Sequence, residues 1–237
     1  MGIYLTGDTH RKLDISKVID FAKTEGLTKE DYLIVLGDFG ALWESYSLNC
    51  TGIAETDQEV IDFYESLPFT TLFVDGNHEN HNALDRYDVE EWNDGKIHRL
   101  SKTVIHLMRG QVYNINNIKF FTFGGARSTD KAYRTENISW WAREIPSILE
   151  FDEGIKNLEK NNFDVDYVLT HDVGTEYSKK LTVITFIPDA VTTYFQRLET
   201  TFNLKFKHWY FGHYHIDMDL DDKHTCVFDK IIKVKED

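Results

Sequence analysis

Side chains of the kinds that bind transition metals stand at five places along the chain, each directly after a run of apolar residues. They are two carboxylates, one amide and five imidazoles: Asp8, His10, Asp38, Asn77, His78, His171, His213 and His215. A set that mixes nitrogen and oxygen ligands without thiolates suits divalent Mn, Fe or Zn better than Ca or Mg, which prefer oxygen ligands. The residue types therefore predict a transition-metal site, with Mn as the first choice and Fe or Zn as the others.

The size of this set predicts two metal ions. One tetrahedral ion needs only four ligands. Two ions about 3.5 to 4 Å apart that share a bridging carboxylate use a set of this size and support in-line attack at phosphorus. The alternative, a mononuclear zinc hydrolase acting on amides or esters, would leave half of the set unused.

Strands of one sheet system must bring these side chains together. Apolar strand-like runs alternate with helical patterns along the whole chain, which is typical of βαβ units. Polar residues that follow parallel strands meet at the carboxyl edge of a sheet. The strands that precede the ligand-type residues are predicted at residues 2–6, 32–36, 70–74, 166–170 and 207–211.

Other segments predict a mixed sheet and covering helices. Two strand-like runs, 106–115 and 118–123, are joined at Asn116-Asn117, a pair that favours a hairpin turn. The acidic segment 85–94 is expected to be a solvated helix or loop. Further elements are expected as helices at 15–22, 60–67 and 146–160, a helix capped by Asp189, a short strand near Met218 and a closing strand at 226–234.

The ligand-type residues lie in motifs that resemble, in order and spacing, the five signature blocks of the calcineurin-like metallophosphoesterases. The motifs are Gly7-Asp8-Thr9-His10, Gly37-Asp38, Gly76-Asn77-His78-Glu79, His171 and Gly212-His213-Tyr214-His215. They run from residue 7 to residue 215. The resemblance therefore implies one phosphoesterase domain over residues 1–237, with the four-layer α/β/β/α sandwich and mixed sheets of that family.

The resemblance also implies a role for each residue. Asp8, His10 and His215 would hold the first metal, Asn77, His171 and His213 the second, and Asp38 would bridge both. A metal-bridging hydroxide would attack phosphorus in line. His78 would be the catalytic histidine that stabilises the transition state or protonates the leaving oxygen, and Glu79 is expected to orient an imidazole.

The chain differs from the Ser/Thr protein phosphatases of this family, which carry Gly after the first His and an Arg-Gly pair in the second block. Here Arg11 follows His10 and Phe39 follows Asp38, so phosphoprotein phosphatase activity is the weaker alternative. Arg11 is a candidate for binding a substrate phosphate, and so is Arg127 after a Gly-Gly pair. For both arginines, a structural ion pair is the alternative.

Tryptophans are candidates for lining the pocket. Trp43 and the pair Trp140-Trp141 could stack on a nucleobase or an aryl leaving group. Tryptophans pack in cores more often than they bind ligands, so a core position is the competing interpretation for each.

Charge and composition limit the partners. With 26 basic and 40 acidic residues, the net charge is −14, which disfavours duplex nucleic acid held by phosphate neutralisation. Two divalent ions beside two carboxylates would still leave a locally positive site. We therefore expect a small phosphomonoester, phosphodiester or nucleotide as substrate, with monoester and diester both open.

The remaining features predict a cytoplasmic protein without a membrane partner. The apolar runs are shorter than a membrane span, and the two cysteines form no CxxC motif, as in reduced proteins. A catalytically silent scaffold with this fold is the rival to an enzyme. The complete set of ligand-type residues favours the enzyme.

Overall fold

The strands form two mixed sheets in the computed structural model, which describes residues 1–47, 50–182 and 186–235. In chain order the strands are β1 (Ile3–Thr6), β2 (Tyr32–Leu36), β3 (Thr70–Val74), β4 (Val89–Trp92), β5 (Gly95–Ser101), β6 (Val104–Leu107), β7 (Gln111–Ile115), β8 (Ile118–Phe123), β9 (Tyr167–Thr170), β10 (His208–Phe211), β11 (Met218–Asp219), β12 (His224–Cys226) and β13 (Ile232–Lys233). The helices are α1 (Ser16–Phe21), α2 (Glu55–Ser66), α3 (His81–Leu84), α4 (Ile148–Lys160), α5 (Thr175–Leu181) and α6 (Ala190–Thr200).

Each sheet has a parallel centre and antiparallel edges. The first sheet has the order β13-β1-β2-β3-β6-β5-β4, and β1, β2, β3 and β6 run parallel. The second has the order β11-β12-β10-β9-β8-β7, with β8, β9, β10 and β12 parallel. Every strand that precedes a ligand-type residue lies in one of these parallel centres.

Alternating side chains on the strands build three apolar layers. Ile34 and Leu36 of β2 point between the sheets and pack with Phe120 of β8. Leu33, on the opposite face of β2, packs in the cluster that also holds the α2 residues Val60 and Ile61. Phe121 and Phe123 of β8 and Trp209 of β10 pack against α4 and α6 through Leu158, Phe195 and Leu198. This arrangement confirms the predicted four-layer α/β/β/α sandwich.

A hairpin turn and a helix cap lie where the sequence predicted them. Asn116 and Asn117 have φ values of 56° and 62°, and they connect β7 to β8 as the hairpin prediction required. The Asp189 carboxylate accepts hydrogen bonds from the backbone N–H groups of Val191 and Thr192, which caps α6.

Three predictions were wrong at the edges of the sheets. The run 106–115 is two strands, because the chain leaves the first sheet after β6, turns at Gly110 (φ 72°) and enters the second sheet as β7. The closing run 226–234 also divides between the sheets, as β12 and β13. The acidic segment 85–94 contains β4, an edge strand. The first three residues of β4 are exposed, so it lacks the apolar alternation that marks a strand.

Candidate metal centre

Ends of parallel strands from both sheets bring the predicted ligands together. In the first sheet, Asp8 and His10 follow β1, Asp38 follows β2, and Asn77 follows β3. In the second sheet, the ligand-type residues follow neighbouring strands: His171 follows β9, and His213 and His215 follow β10. The cluster therefore lies where the carboxyl edges of the two sheets meet.

Two groups of potential ligand atoms share one carboxylate. In each group, the ligand atoms lie within 4.8 Å of one another. Asp38 belongs to both, as expected of a bridging ligand. The first group is Asp8, His10, Asp38 and His215, and the second is Asp38, His171 and His213.

Asn77 joins the second group through its amide oxygen. Asn77 Oδ1 lies 3.2 Å from His171 Nε2. The next residue, His78, donates its backbone N–H to Asp38 Oδ1 at 2.7 Å. The loop after β3 thus contacts the shared carboxylate and the second group together.

Unusual backbone geometry presents these side chains. Asp8, His10, Asp38, His213 and His215 all have positive φ values, between 22° and 70°. Such conformations are strained for residues other than glycine and concentrate at functional sites. At Gly76, a Cβ atom would lie 2.1 Å from Asp38 Oδ1, so no larger residue fits there with this geometry.

The hydrogen bonds of His171 fix which ring nitrogen faces the cluster. Its Nδ1 lies 2.8 Å from the carbonyl oxygen of Leu36, which can only accept, so Nδ1 carries a proton and donates it. In the neutral ring, the Nε2 lone pair then faces Asp38 Oδ1 and Asn77 Oδ1, each 3.2 Å away. With the ring neutral, three acceptors converge at this point, and a bound cation would satisfy all three.

His10 repeats the same arrangement in the first group. Its Nδ1 donates to Asp14 Oδ2 at 2.8 Å, and its Nε2 lies 3.3 Å from Asp38 Oδ2. A carboxylate that fixes the tautomer of a histidine is the usual support for a metal ligand. The donor set and its tautomers therefore fit divalent metal ions at both groups.

Electrostatics at the cluster also favour bound positive charge. Burial alone would lower the pKa of His171, but the carboxylates of Asp38 and Asp8 outweigh it and raise that pKa to about 10. Burial raises the pKa of Asp8 to about 7. Despite its own burial, Asp38 has a pKa well below its usual range because His171 and His10 stabilise its charge.

His213 and His215 complete the two groups in different environments. Burial lowers the pKa of His213 to about 3, which keeps the imidazole neutral and able to bind a metal. The side chain of His215 is half exposed, and its Nε2 lies 3.7 Å from Asp8 Oδ1. The first group therefore opens towards solvent, while the second lies deeper.

His78 lies beside the cluster, where it contacts an aromatic ring and a cation. Trp43 stacks on its imidazole at a centroid distance of 6.2 Å. On Arg134, Nη1 is 3.3 Å from His78 Nδ1 and Nη2 is 3.4 Å from His78 Nε2. Arg134 is held by Asp130 at 2.7 Å and donates to the Ser139 carbonyl oxygen at 3.0 Å. Burial, with Arg134 adding to it, lowers the pKa of His78.

Sequence reasoning missed Arg134. It lies between β8 and α4, in a segment where the only regular elements described are the short helical turns Lys131–Tyr133 and Ala142–Glu144. The signal that was available is chain order, because this segment follows a strand whose carboxyl end reaches the same edge as the metal ligands.

The two arginines predicted to bind phosphate have different surroundings. Arg11 Nη1 lies 2.6 Å from Asp57 Oδ1, and its Nη2 donates to the Thr56 carbonyl oxygen, so the guanidinium is engaged in an ion pair. Arg127 and His213 line one cavity of about 450 Å³. Arg127 is thus the better placed of the two for substrate contact.

Glu79 does not orient an imidazole, so that expectation was wrong. Its carboxylate accepts hydrogen bonds from the backbone N–H groups of Phe39 and Gly40, at 2.7 and 3.1 Å. These contacts hold the loop after β2, which carries Asp38. Glu79 supports the site through the backbone.

The tryptophans divide between the site and the core. Trp43 contacts His78, as described above. Trp141 is buried and packs edge to face on Trp43 at 5.0 Å, and Trp140 carries the ammonium group of Lys131 over its ring.

The resemblance to calcineurin-like metallophosphoesterases implied two mixed sheets packed face to face, with Asp, Asn and His side chains at their shared carboxyl edge. The structure has this arrangement. Sequence comparison agrees. The chain is 28% identical to Lariat debranching enzyme A of Xenopus laevis over 117 residues, 46% of this chain and 22% of that protein. It is 28% identical to Lariat debranching enzyme of Schizosaccharomyces pombe over 156 residues, 61% of this chain and 32% of that protein.

Lariat debranching enzymes belong to the metallophosphoesterase family, so the predicted resemblance is confirmed. The chain spans less than a third of the length of these two relatives. No family model matches it. Among solved structures, phosphopantetheinyl hydrolase of Mycobacterium tuberculosis superposes with a TM-score of 0.47 and 12% identity, covering 96% of this chain and 89% of that one.

Within the described ranges, no helix has the length and apolar character needed to cross a bilayer.

Proposed function

We propose that this chain is a dinuclear metal-dependent phosphoesterase. The observation that carries the proposal is the pair of ligand groups that share Asp38. Asp8, His10 and His215 would hold one divalent ion, Asn77, His171 and His213 the other, and Asp38 would contact both. We propose Mn²⁺ as the metal, with Fe or Zn as the alternatives.

When bound, such ions would activate a water molecule and neutralise charge on the phosphoryl oxygens. The protein supplies the rest of the chemistry. His10 and His171 present Nε2 to the ions because their Nδ1 protons are committed to Asp14 and Leu36. His78 donates a hydrogen bond or a proton to the oxygen that leaves phosphorus. Arg127 binds a phosphoryl oxygen.

Small phosphoesters or nucleotides are the proposed substrates. The net charge of −14 opposes a long polyanion bound along an extended surface, while two divalent ions would give the site itself positive charge. A second candidate is the branch of a lariat RNA, because the relatives of this chain are lariat debranching enzymes. A panel of a monoester, a diester, a nucleotide and a branched RNA separates these substrates.

We also propose that residues 1–237 act as one domain in the cytoplasm. The pairing of β13 with β1 supports the first part, because it ties the last described strand to the first. The second part is supported by Cys50 and Cys226, which are both free thiols.

The substitution Asp38→Asn tests the proposed function. We expect purified wild-type chain to bind two Mn²⁺ ions and to hydrolyse p-nitrophenyl phosphate or its bis ester. In the variant the rate should fall by about a hundredfold or more, since even residues that only support a ligand contribute about 10- to 100-fold. Asp62→Asn, an exposed change on α2, is the matched control.

Metal analysis by mass spectrometry separates the rivals. One ion per chain at saturation would support the mononuclear hydrolase, and none would support the scaffold. His78→Ala should keep both ions and lose about 10²- to 10⁴-fold in rate, the usual contribution of a proton-transfer group.

A further inference from the structure

Ser128 and Glu144 form a buried polar pair behind the proposed metal centre. Both lie between β8 and α4, outside the signature motifs. Ser128 is 3% exposed and Glu144 is fully buried. Buried polar groups of this kind are retained only where their hydrogen bonds are satisfied.

The hydrogen bonds between them determine how the hydroxyl group is used. Glu144 Oε1 accepts the backbone N–H of Ser128 at 3.1 Å, and Glu144 Oε2 accepts the Ser128 hydroxyl at 2.6 Å. A serine hydroxyl has one proton. Since that proton is donated to Glu144, Ser128 Oγ can only accept from any other neighbour.

Asn77 is that neighbour. Its Nδ2 lies 3.2 Å from Ser128 Oγ, and its Oδ1 lies 3.2 Å from His171 Nε2 on the opposite side. A flipped amide would place its oxygen against the Ser128 oxygen and its NH2 group against the metal ligands. That NH2 group has no lone pair available for a metal.

We propose that Ser128 and Glu144 are positioning residues that fix the amide of Asn77, so that its oxygen faces the second ligand group. The role of these residues in metal binding rests on the proposed function, whereas the orientation of the Asn77 amide rests on the hydrogen bonds alone. It also connects the sheets, since Asn77 follows β3 of the first sheet and Ser128 follows β8 of the second.

Three substitutions test this relay of hydrogen bonds, which runs from Glu144 through Ser128 to Asn77. Ser128→Ala removes the acceptor and leaves the amide free to flip. Glu144→Gln reverses the relay, because a glutamine NH2 group donates to Ser128 Oγ and turns the hydroxyl proton towards Asn77. Ser128→Thr keeps the hydroxyl and is the rescue variant. Thr129→Ala, an exposed hydroxyl at the next position, is the control.

Mn²⁺ titration followed by electron paramagnetic resonance is the first measurement. For Ser128→Ala and Glu144→Gln we expect one of the two Mn²⁺ dissociation constants to rise by about 10- to 100-fold and the other to stay unchanged. Glu144→Gln should be at least as severe as Ser128→Ala. Circular dichroism melting identifies any variant that has not folded.

The second measurement uses the metal-free protein. The side-chain amide of Asn77, assigned in ¹⁵N spectra through Asn77→Asp, should shift in Ser128→Ala and Glu144→Gln but not in Thr129→Ala. If these signals and both Mn²⁺ constants are unchanged in folded Glu144→Gln, the relay is refuted. If the signals shift while wild-type protein binds no Mn²⁺ pair, the amide assignment holds and the proposed function fails.

Discussion

Hydrogen bonds to one polar atom of a side chain fix the orientation of individual residues at the candidate metal centre. The Leu36 carbonyl oxygen fixes His171, Asp14 fixes His10, and Ser128 fixes Asn77. Each partner commits one polar atom, so the remaining lone pair faces the cluster. Hydrogen bonds within the chain thus orient the candidate ligands so that their free lone pairs converge.

Arg134 places a positive charge beside His78. It is mostly buried and lies 3.3 Å from His78 Nδ1. We infer that the Arg134 guanidinium also contacts a phosphoryl oxygen of substrate bound beside His78, so Arg134→Ala should raise the KM for p-nitrophenyl phosphate about tenfold, the effect of losing one hydrogen bond to a charged group. Arg134→Lys should have an intermediate KM, since lysine keeps the charge but not the planar fork.

Arg99→Ala is the control in the same steady-state assay, because Arg99 lies on β5 and pairs with Glu90 at the surface. Equal KM values for Arg134→Ala and Arg99→Ala would show that Arg134 does not contact the phosphoryl group.

The positions of the candidate ligands were predictable from sequence, whereas the residues that orient them were not. Asp8, Asp38 and His171 directly follow apolar strands, so position and residue type together indicate their place. Ser128 and Glu144 lie in a segment with little regular structure, and Ser128 reaches Asn77 only because the second sheet packs on the first. Glu79 was assigned the wrong partner for a similar reason, since its contacts are backbone groups of another loop.

At the scale of elements, the central strands were predictable because they are buried on both faces. All four residues from Leu33 to Leu36 in β2 are buried, and β3 is buried throughout. The errors fall where a strand changes sheet or lies at an edge, as at Gly110 and in β4. Sequence patterns record burial, but they do not record which sheet provides it.

The loop after β3 must pass close to Asp38, and Gly76 permits this. A Cβ at Gly76 would lie 2.1 Å from Asp38 Oδ1 and 2.3 Å from its backbone nitrogen. We expect Gly76→Ala to lower the free energy of unfolding by about 1 to 3 kcal/mol, as overpacking usually does. It should also abolish paired Mn²⁺ binding.

Gly52→Ala provides the comparison for Gly76→Ala, because no atom lies within 4 Å of a Cβ at Gly52. Its urea unfolding curve should stay within about 0.5 kcal/mol of wild type. A Gly76→Ala variant with wild-type stability and two bound ions would contradict the close approach.

In the molecule as a whole, helices α5 and α6 pack against the second sheet. A cluster of side chains around His224 links both helices to β12. His224 of β12 lies 2.9 Å from Asp221 through Nδ1 and 3.4 Å from Glu199 of α6 through Nε2. The ring of Tyr177, on α5, stacks on it at 4.2 Å. Burial alone would lower the pKa of His224, but the two carboxylates outweigh it and raise that pKa.

This cluster should make stability depend on pH with a defined sign. A raised pKa in the folded state means that the charged imidazole contributes full stability below the unfolded pKa of about 6.5, and loses it as pH rises through the folded value. The stability difference between wild type and His224→Asn should therefore shrink from pH 5.5 to pH 8.5 in urea unfolding. His208 of β10 is the matched control, because burial lowers its pKa. Its contribution to the free energy of unfolding should therefore shrink as pH falls, which is the opposite direction. A His224→Asn difference that stays constant across this range would show that the pKa of His224 is the same in the folded and unfolded protein, and a difference that grows with pH would show that the folded imidazole is neutral.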